Sequence, residues 1–271
     1  MKTRIISAFV GLLLFFLVFL SFNTYIFNVV IGAIAVIGVY ELLKATGIIK
    51  HKALSVISLL ISATIPFYSI LNIEGVMSVA IGAVLFVFFI TFLAGNTKLM
   101  IDKVSLSLFF ALTVPTAFST LIFMRDKFTN NGYFYVVLVF AISWFADTGA
   151  YFAGCFLGKH KLAPTISPNK TVEGAIGGVI GAIVLSCAYA YVYSLISPIN
   201  VNYLYVAILS GIGSIVGMLG DLTASSIKRQ YGVKDFGNLM PGHGGVMDRF
   251  DSVLFVAPLV YVFSQFFMLI K

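Results

Sequence analysis

The chain has 271 residues, of which 60% are hydrophobic and only 10% charged, with a formal net charge of +7 and a mean hydropathy of +1.06. No water-soluble core can hide that much apolar surface, so the solvent for most of the chain is lipid. The basic residues are scattered over separate short segments, a distribution that suits contact with anionic lipid and excludes a nucleic-acid-binding patch.

A hydrocarbon core about 30 Å thick takes roughly 20 apolar residues per helical crossing. Runs of that kind predict nine crossings, near Ile5–Phe22, Tyr25–Leu43, Leu54–Leu71, Val76–Ala94, Ser105–Met124, Tyr133–Leu157, Gly174–Ile196, Tyr203–Ser225 and Ser252–Ile270. The third contains Pro66, which a membrane helix tolerates when its neighbours satisfy the freed backbone. With a cytoplasmic N-terminus, Arg125, Lys127 and Lys271 are the only basic residues of the 17 that fall outside, as the positive-inside rule requires. The expected fold is therefore an all-α, polytopic integral membrane protein of about nine helices with its N-terminus in the cytoplasm. Lys2 and Arg4 ahead of the first apolar run imitate a signal peptide, but no small-x-small site follows, so an uncleaved first helix is expected.

Cys155 and Cys187 lie in apolar helices and read as small packing residues. Glu41 and Lys44, three residues apart near a helix end, read as a local ion pair.

The chemistry is uneven along the chain. Residues 1–131 read as membrane scaffold, whereas residues 132–271, with cytoplasmic loops at 158–174 and 226–251, hold six of the ten acids: Asp147, Glu173, Asp221, Asp235, Asp248 and Asp251. An ionised Asp at a helix centre costs about 2.5–3.5 kcal/mol on insertion scales and persists only beside a partner or a wet cavity. Asp147 and Asp221 are in that position. Ser214, Gly217, Asp221, Ser225 and Lys228 follow helical spacing, so a polar, glycine-lined stripe is expected to face a cavity.

The loop after that helix holds the groups phosphate chemistry needs. Gly244 and Gly245 let backbone amides approach phosphate oxygens, and Lys228, Arg229, Lys234 and Arg249 supply positive charge. Asp248 and Asp251 share a face at the start of the last helix. Mg²⁺ takes one or two carboxylates and fills its octahedron with water and phosphate oxygens, so Asp221 with Asp248 is the expected first site. Asp251 or Asp147 could serve a second cation. His243 reads equally as a turn-fixing hydrogen bonder or a proton carrier. In the preceding loop, Ser167, Asn169 and Lys170 of Ser-Pro-Asn-Lys-Thr are candidate phosphate contacts, and Ser225 joins them from the stripe.

These residues carry a resemblance. Ser225 to Asp251 resembles the signature of the phosphatidate cytidylyltransferase (CDP-diacylglycerol synthase) family: Ser-x-x-Lys-Arg, four residues, Lys-Asp, then Pro-x-His-Gly-Gly-x-x-Asp-Arg-x-Asp. Met240 stands where Leu, Ile or Phe is usual. Asp147-Thr-Gly-Ala-Tyr-Phe-Ala-Gly and Ser-Pro-Asn-Lys-Thr-Val-Glu-Gly are also similar to that family, so the likeness covers roughly Trp144 to Ser252. It implies a Mg²⁺-dependent nucleotidyltransferase that joins phosphatidate and CTP into CDP-diacylglycerol and pyrophosphate. It also implies a homodimer in the cell (inner) membrane with its active site facing the cytoplasm. A CTP-dependent lipid kinase would release CDP instead. A secondary transporter would need no extramembrane His-Gly-Gly loop. The D-G-x-x-A-R and D-D-x-x-D motifs of other lipid transferases are absent.

Overall fold

A computed structural model describes residues 11, 13, 15–71, 76–95 and 100–270. Eight residues of the expected first crossing, 5–10, 12 and 14, fall outside these residues, as do Lys2, Arg4, Lys98 and Lys271. The described chain is mostly helical, with one short hairpin and connecting loops, and the protein is an all-α, polytopic membrane protein. Its helices are α1 (Tyr25–Ala45), α2 (Lys52–Thr64), α3 (Val76–Ala94), α4 (Ile101–Lys127), α5 (Gly132–Leu157), α6 (Val172–Ile196), α7 (Tyr203–Gln230) and α8 (Met247–Phe266). Five of them, α1, α4, α5, α6 and α7, are long and apolar enough to cross a membrane.

Side-chain caps set several of the helix starts. Thr24 accepts from Ile26 N–H at 3.3 Å, Thr171 from Gly174 N–H at 3.0 Å, and Asn202 from Tyr205 N–H at 3.3 Å. Each satisfies an amide that has no partner inside its own helix. At 28 residues, α7 runs about 42 Å, longer than the hydrocarbon core is thick. Its last turns, with Lys228 and Arg229, can therefore stand in the headgroup region.

The chain forms two compact units, residues 1–122 with 233–249 and residues 123–232 with 250–271. In the first, α1 packs on α2, and Phe27, Ile31, Ala35 and Leu54 are buried. The expected third crossing is broken rather than straight: α2 ends at Thr64 and a 3-10 turn, Ile65–Phe67, follows. Pro66 has no N–H to continue an α-helix, and its own carbonyl is taken by buried Asn28 Nδ2 at 3.0 Å.

The second unit is organised by α5 and α6, which approach at their glycines. A Cβ on Gly149 would lie 2.6 Å from the Gly177 carbonyl oxygen, and one on Gly177 would overlap Ala153. Small residues let membrane helices touch backbone to backbone where no hydrophobic gain drives association. Between the two helices the segment expected as plain loop forms an antiparallel hairpin, β1 (Lys161–Ala163) and β2 (Ser167–Thr171), with Lys161 opposite Thr171 and Ala163 opposite Ser167. Its base is tied by Val172 N–H to the His160 carbonyl at 2.9 Å.

Candidate active site

A cavity of about 610 Å³ opens in the second unit. Its walls are Ser143, Asp147 and Tyr151 of α5, Asn169, Lys170 and Thr171 of β2, Gly174 and Gly178 of α6, Gly213, Ser214, Gly217 and Asp221 of α7, and Ser252 of α8. The stripe read on α7 thus faces a cavity from Ser214 to Asp221. Helices forming such a wall around one cation and two acids, Asp147 and Asp221, give those charges a cavity rather than lipid to face.

Lys170 Nζ pairs with Asp221 Oδ2 at 2.6 Å, the two side chains being 23% and 31% exposed. The ammonium nitrogen itself is shut off from solvent. It carries three donors, and Asp221 answers one direction only, which leaves capacity for a phosphate oxygen. The other Asp221 oxygen, Oδ1, accepts from Ser225 Oγ at 3.3 Å. Asp251 feels the like charges of Asp221 and Asp147 and the opposite charge of Lys228, while its Oδ1 accepts from Ser252 N–H at 2.8 Å. Neighbouring carboxylates of this kind can share a cation. They are hard oxygen donors, the kind Mg²⁺ takes, and among the described residues no three acids, histidines or cysteines converge as a ready-made metal cage. Mg²⁺ binds through one or two carboxylates plus phosphate oxygens, so the donor set fits that ion.

The hairpin that presents Lys170 is latched. Glu173 accepts from Lys159 N–H at 3.1 Å and His160 N–H at 3.2 Å, and pairs with His160 Nδ1 at 2.6 Å. At the tip, Arg229 Nε donates to the Ile166 carbonyl at 3.4 Å. None of Glu173, His160, Thr171, Ser143 or Tyr151 was singled out as a site residue by sequence; Glu173 was seen only as an acid in a polar loop.

Residues 233–249 of the signature belong to the first unit. Asp221 and Asp248, expected to share a cation, therefore fall in different units: Asp221 with Asp147, Lys170 and Asp251, and Asp248 with Lys234, His243, Gly244, Gly245 and Arg249. The loop turns back on itself through Met240 N–H to the Gly244 carbonyl (3.0 Å) and His243 N–H to the Met240 carbonyl (2.9 Å). Gly242 and Gly244 sit at φ +79° and +84°, a region only glycine enters without strain. Asp248 Oδ2 accepts from Gly245 N–H at 2.9 Å and Phe236 N–H at 2.8 Å. Gly245, expected to lend its amide to a phosphate, lends it to Asp248.

Glu41 supplies what the sequence reading missed. It is buried in α1 and forms no ion pair with Lys44. Its oxygens accept from Val246 N–H at 3.0 Å and Met247 N–H at 2.9 Å. The signal was available: an acid in an apolar helix carries the same insertion cost that drew attention to Asp147 and Asp221, but Lys44 nearby offered a simpler partner.

A lysine–carboxylate cavity walled by membrane helices, with a glycine-turned basic loop in the same chain, defines a membrane enzyme acting on phosphorylated substrates. The chain belongs to the cytidylyltransferase family, whose model matches residues 2–267, and it is a nucleotidyltransferase. It is 37% identical over 273 residues to a phosphatidate cytidylyltransferase of Bacillus subtilis (strain 168), covering 98% of each chain. With the phosphatidate cytidylyltransferase of Staphylococcus haemolyticus (strain JCSC1435) it shares 35% identity over 270 residues, 97% of this chain and 98% of the other. The enzyme of that name from Staphylococcus aureus (strain COL) is 46% identical over 133 residues, 49% of this chain and 50% of the relative.

Proposed function

We propose that the protein transfers the cytidylyl group of CTP to phosphatidate, giving CDP-diacylglycerol and pyrophosphate, at the cytoplasmic face of the cell membrane. The observation that carries this reading is the Lys170–Asp221 pair, an ammonium with unused donors at the edge of a cavity lined by membrane helices. That is where a lipid phosphate needs a cation. Nine crossings with a cytoplasmic N-terminus, and assembly as a homodimer, belong to the same proposal.

A phosphate monoester carries about −1.5 to −2 charge at neutral pH. Its oxygen attacks the α-phosphorus of CTP without a strong general base, and the bond from the α-phosphorus to the bridging oxygen breaks as pyrophosphate leaves. The obstacle is repulsion between two polyanions, so positioning and charge neutralisation do the work. Lys170 is assigned to the lipid phosphate, with Ser167 and Asn169 of the same strand as auxiliary contacts. Lys228 and Arg229 of one unit, and separately Lys234 and Arg249 of the other, are assigned to phosphate charge, and His243 and Gly244 shape the Met240–Gly244 turn. Asp221, Asp251 and Asp147 would hold Mg²⁺, which supplies charge neutralisation and alignment of phosphate oxygens when bound.

Detergent-purified protein given phosphatidate, CTP and Mg²⁺ should release pyrophosphate and form CDP-diacylglycerol, read by a coupled phosphate assay and by mass spectrometry. Release of CDP with a doubly phosphorylated lipid product would instead mark a lipid kinase, and no turnover with any nucleotide would sink the reading.

A further inference from the structure

Glu41 lies in the penultimate turn of α1 and is 4% exposed. A carboxylate removed from water that far needs donors or a cation. Lys44 forms no ion pair with it, and the donors come from 205 and 206 residues away: the amides of Val246 and Met247. The first N–H groups of a helix have no partner within it, and α8 starts at Met247. Three successive amides at this start are therefore divided between two carboxylates. Asp248 reaches back to Gly245, as the acid of a capping box does, and Glu41 takes the next two. The positive end of the helix dipole compensates a negative charge placed there.

The surroundings are built to this carboxylate. A Cβ on Gly237 or on Gly245 would overlap the Glu41 oxygens, so a side chain at either position would push the Glu41 carboxylate from its place. The two glycines bracket the turn at Met240–Gly244, and with it His243 and Gly244. Asp248 and Arg249 follow directly on the amides that Glu41 holds.

We propose that Glu41 is a positioning residue for the signature loop. By fixing the first turn of α8 from α1, it sets the direction of Asp248 and Arg249 and the shape of the Met240–Gly244 turn. The proposal rests on the reading that this loop serves cytidylyl transfer from CTP.

Glu41→Gln keeps the side chain's volume but puts an NH₂ against one of the two amides, so one hydrogen bond is lost. Its kcat/KM for CTP should fall roughly 10- to 100-fold, the range met when a group that orients a functional residue is removed. The KM for phosphatidate should move by less than about twofold. Hydrogen–deuterium exchange over peptides spanning residues 236–248 should accelerate while the thermal midpoint stays near that of the wild type. Gly237→Ala, which drives a methyl into the Glu41 carboxylate, should reproduce both effects, and the double variant should be no worse than either single one, because both break the same contact. Unchanged exchange in Glu41→Gln, or a loss of thermal stability with CTP kinetics per folded molecule unaltered, would overturn the proposal. If the wild-type protein forms no CDP-diacylglycerol, the reading of the reaction fails, and the exchange comparison still decides whether Glu41 holds the loop.

Discussion

Lys170 Nζ and Asp221 Oδ2 stand 2.6 Å apart, joining a two-stranded hairpin to the face of α7 that lines the cavity. Both partners are mostly withdrawn from water, so removing either leaves the other charge uncompensated. Lys170→Met and Asp221→Asn are each expected to lower stability by about 1–3 kcal/mol and to reduce pyrophosphate release at least roughly 100-fold. The double variant should regain much of the stability and none of the activity. Thermal unfolding and turnover measured on the four proteins of the cycle separate the two effects; recovery of activity in the double variant would show that the pair is structural only.

The latch at the hairpin base makes a different prediction. Glu173 is held by an exposed partner, His160, and by two backbone amides at the protein's surface, so Glu173→Gln should move the thermal midpoint only slightly. It should lower turnover roughly tenfold by loosening the strand that carries Lys170. Exchange measured over residues 158–171 should rise in parallel.

Close approach of α5 and α6 can be tested at Gly149. A side chain there meets the Gly177 carbonyl oxygen, and overpacking of this kind costs about 1–3 kcal/mol. Gly149→Val should therefore unfold at lower temperature and lose activity, since Asp147 lies on the same turn of helix. A wild-type melting curve would mean that the two helices yield without cost.

Gly244 and Gly232 form a matched pair. Both have positive φ, +84° and +66°, and an alanine at either costs about 1–2 kcal/mol for the left-handed backbone. At Gly244 the added methyl also meets Asp248 Oδ2 at 2.8 Å, whereas at Gly232 nothing lies within 4 Å. Gly244→Ala is expected to abolish cytidylyl transfer and Gly232→Ala to spare it, with the larger loss of stability at Gly244. Equal activity in the two variants would remove the Met240–Gly244 turn from the site.

Apolar length made the long helices legible: α7 begins at Tyr203 and α5 ends at Leu157, where the sequence puts them. The cost of an intramembrane acid pointed to Asp147 and Asp221, and helical spacing aimed Ser214 and Gly217 at the cavity. Hydropathy was blind to structure made by polar residues. Ser167-Pro-Asn-Lys-Thr reads as loop by composition, and only its pairing with Lys161–Ala163 makes it a strand. Pro66 reads as tolerated within one crossing, and nothing in the sequence shows the Asn28 side chain that takes its carbonyl where the helix breaks. Glu41 was hidden because its partners are backbone amides, which every residue but proline possesses and no pattern of side chains reveals.

The start of α8 has one more consequence. Many proteins that handle nucleotides cradle phosphate oxygens on the open amides of a helix N-terminus. Here Gly245, Val246 and Met247 have already given theirs to Asp248 and Glu41, and that helix end is plugged by the protein's own anions. On the proposed reading, phosphate is gripped by ammonium and guanidinium side chains instead. A grip of that kind is weakened by salt, and it can release a polyanionic leaving group without unravelling any helix.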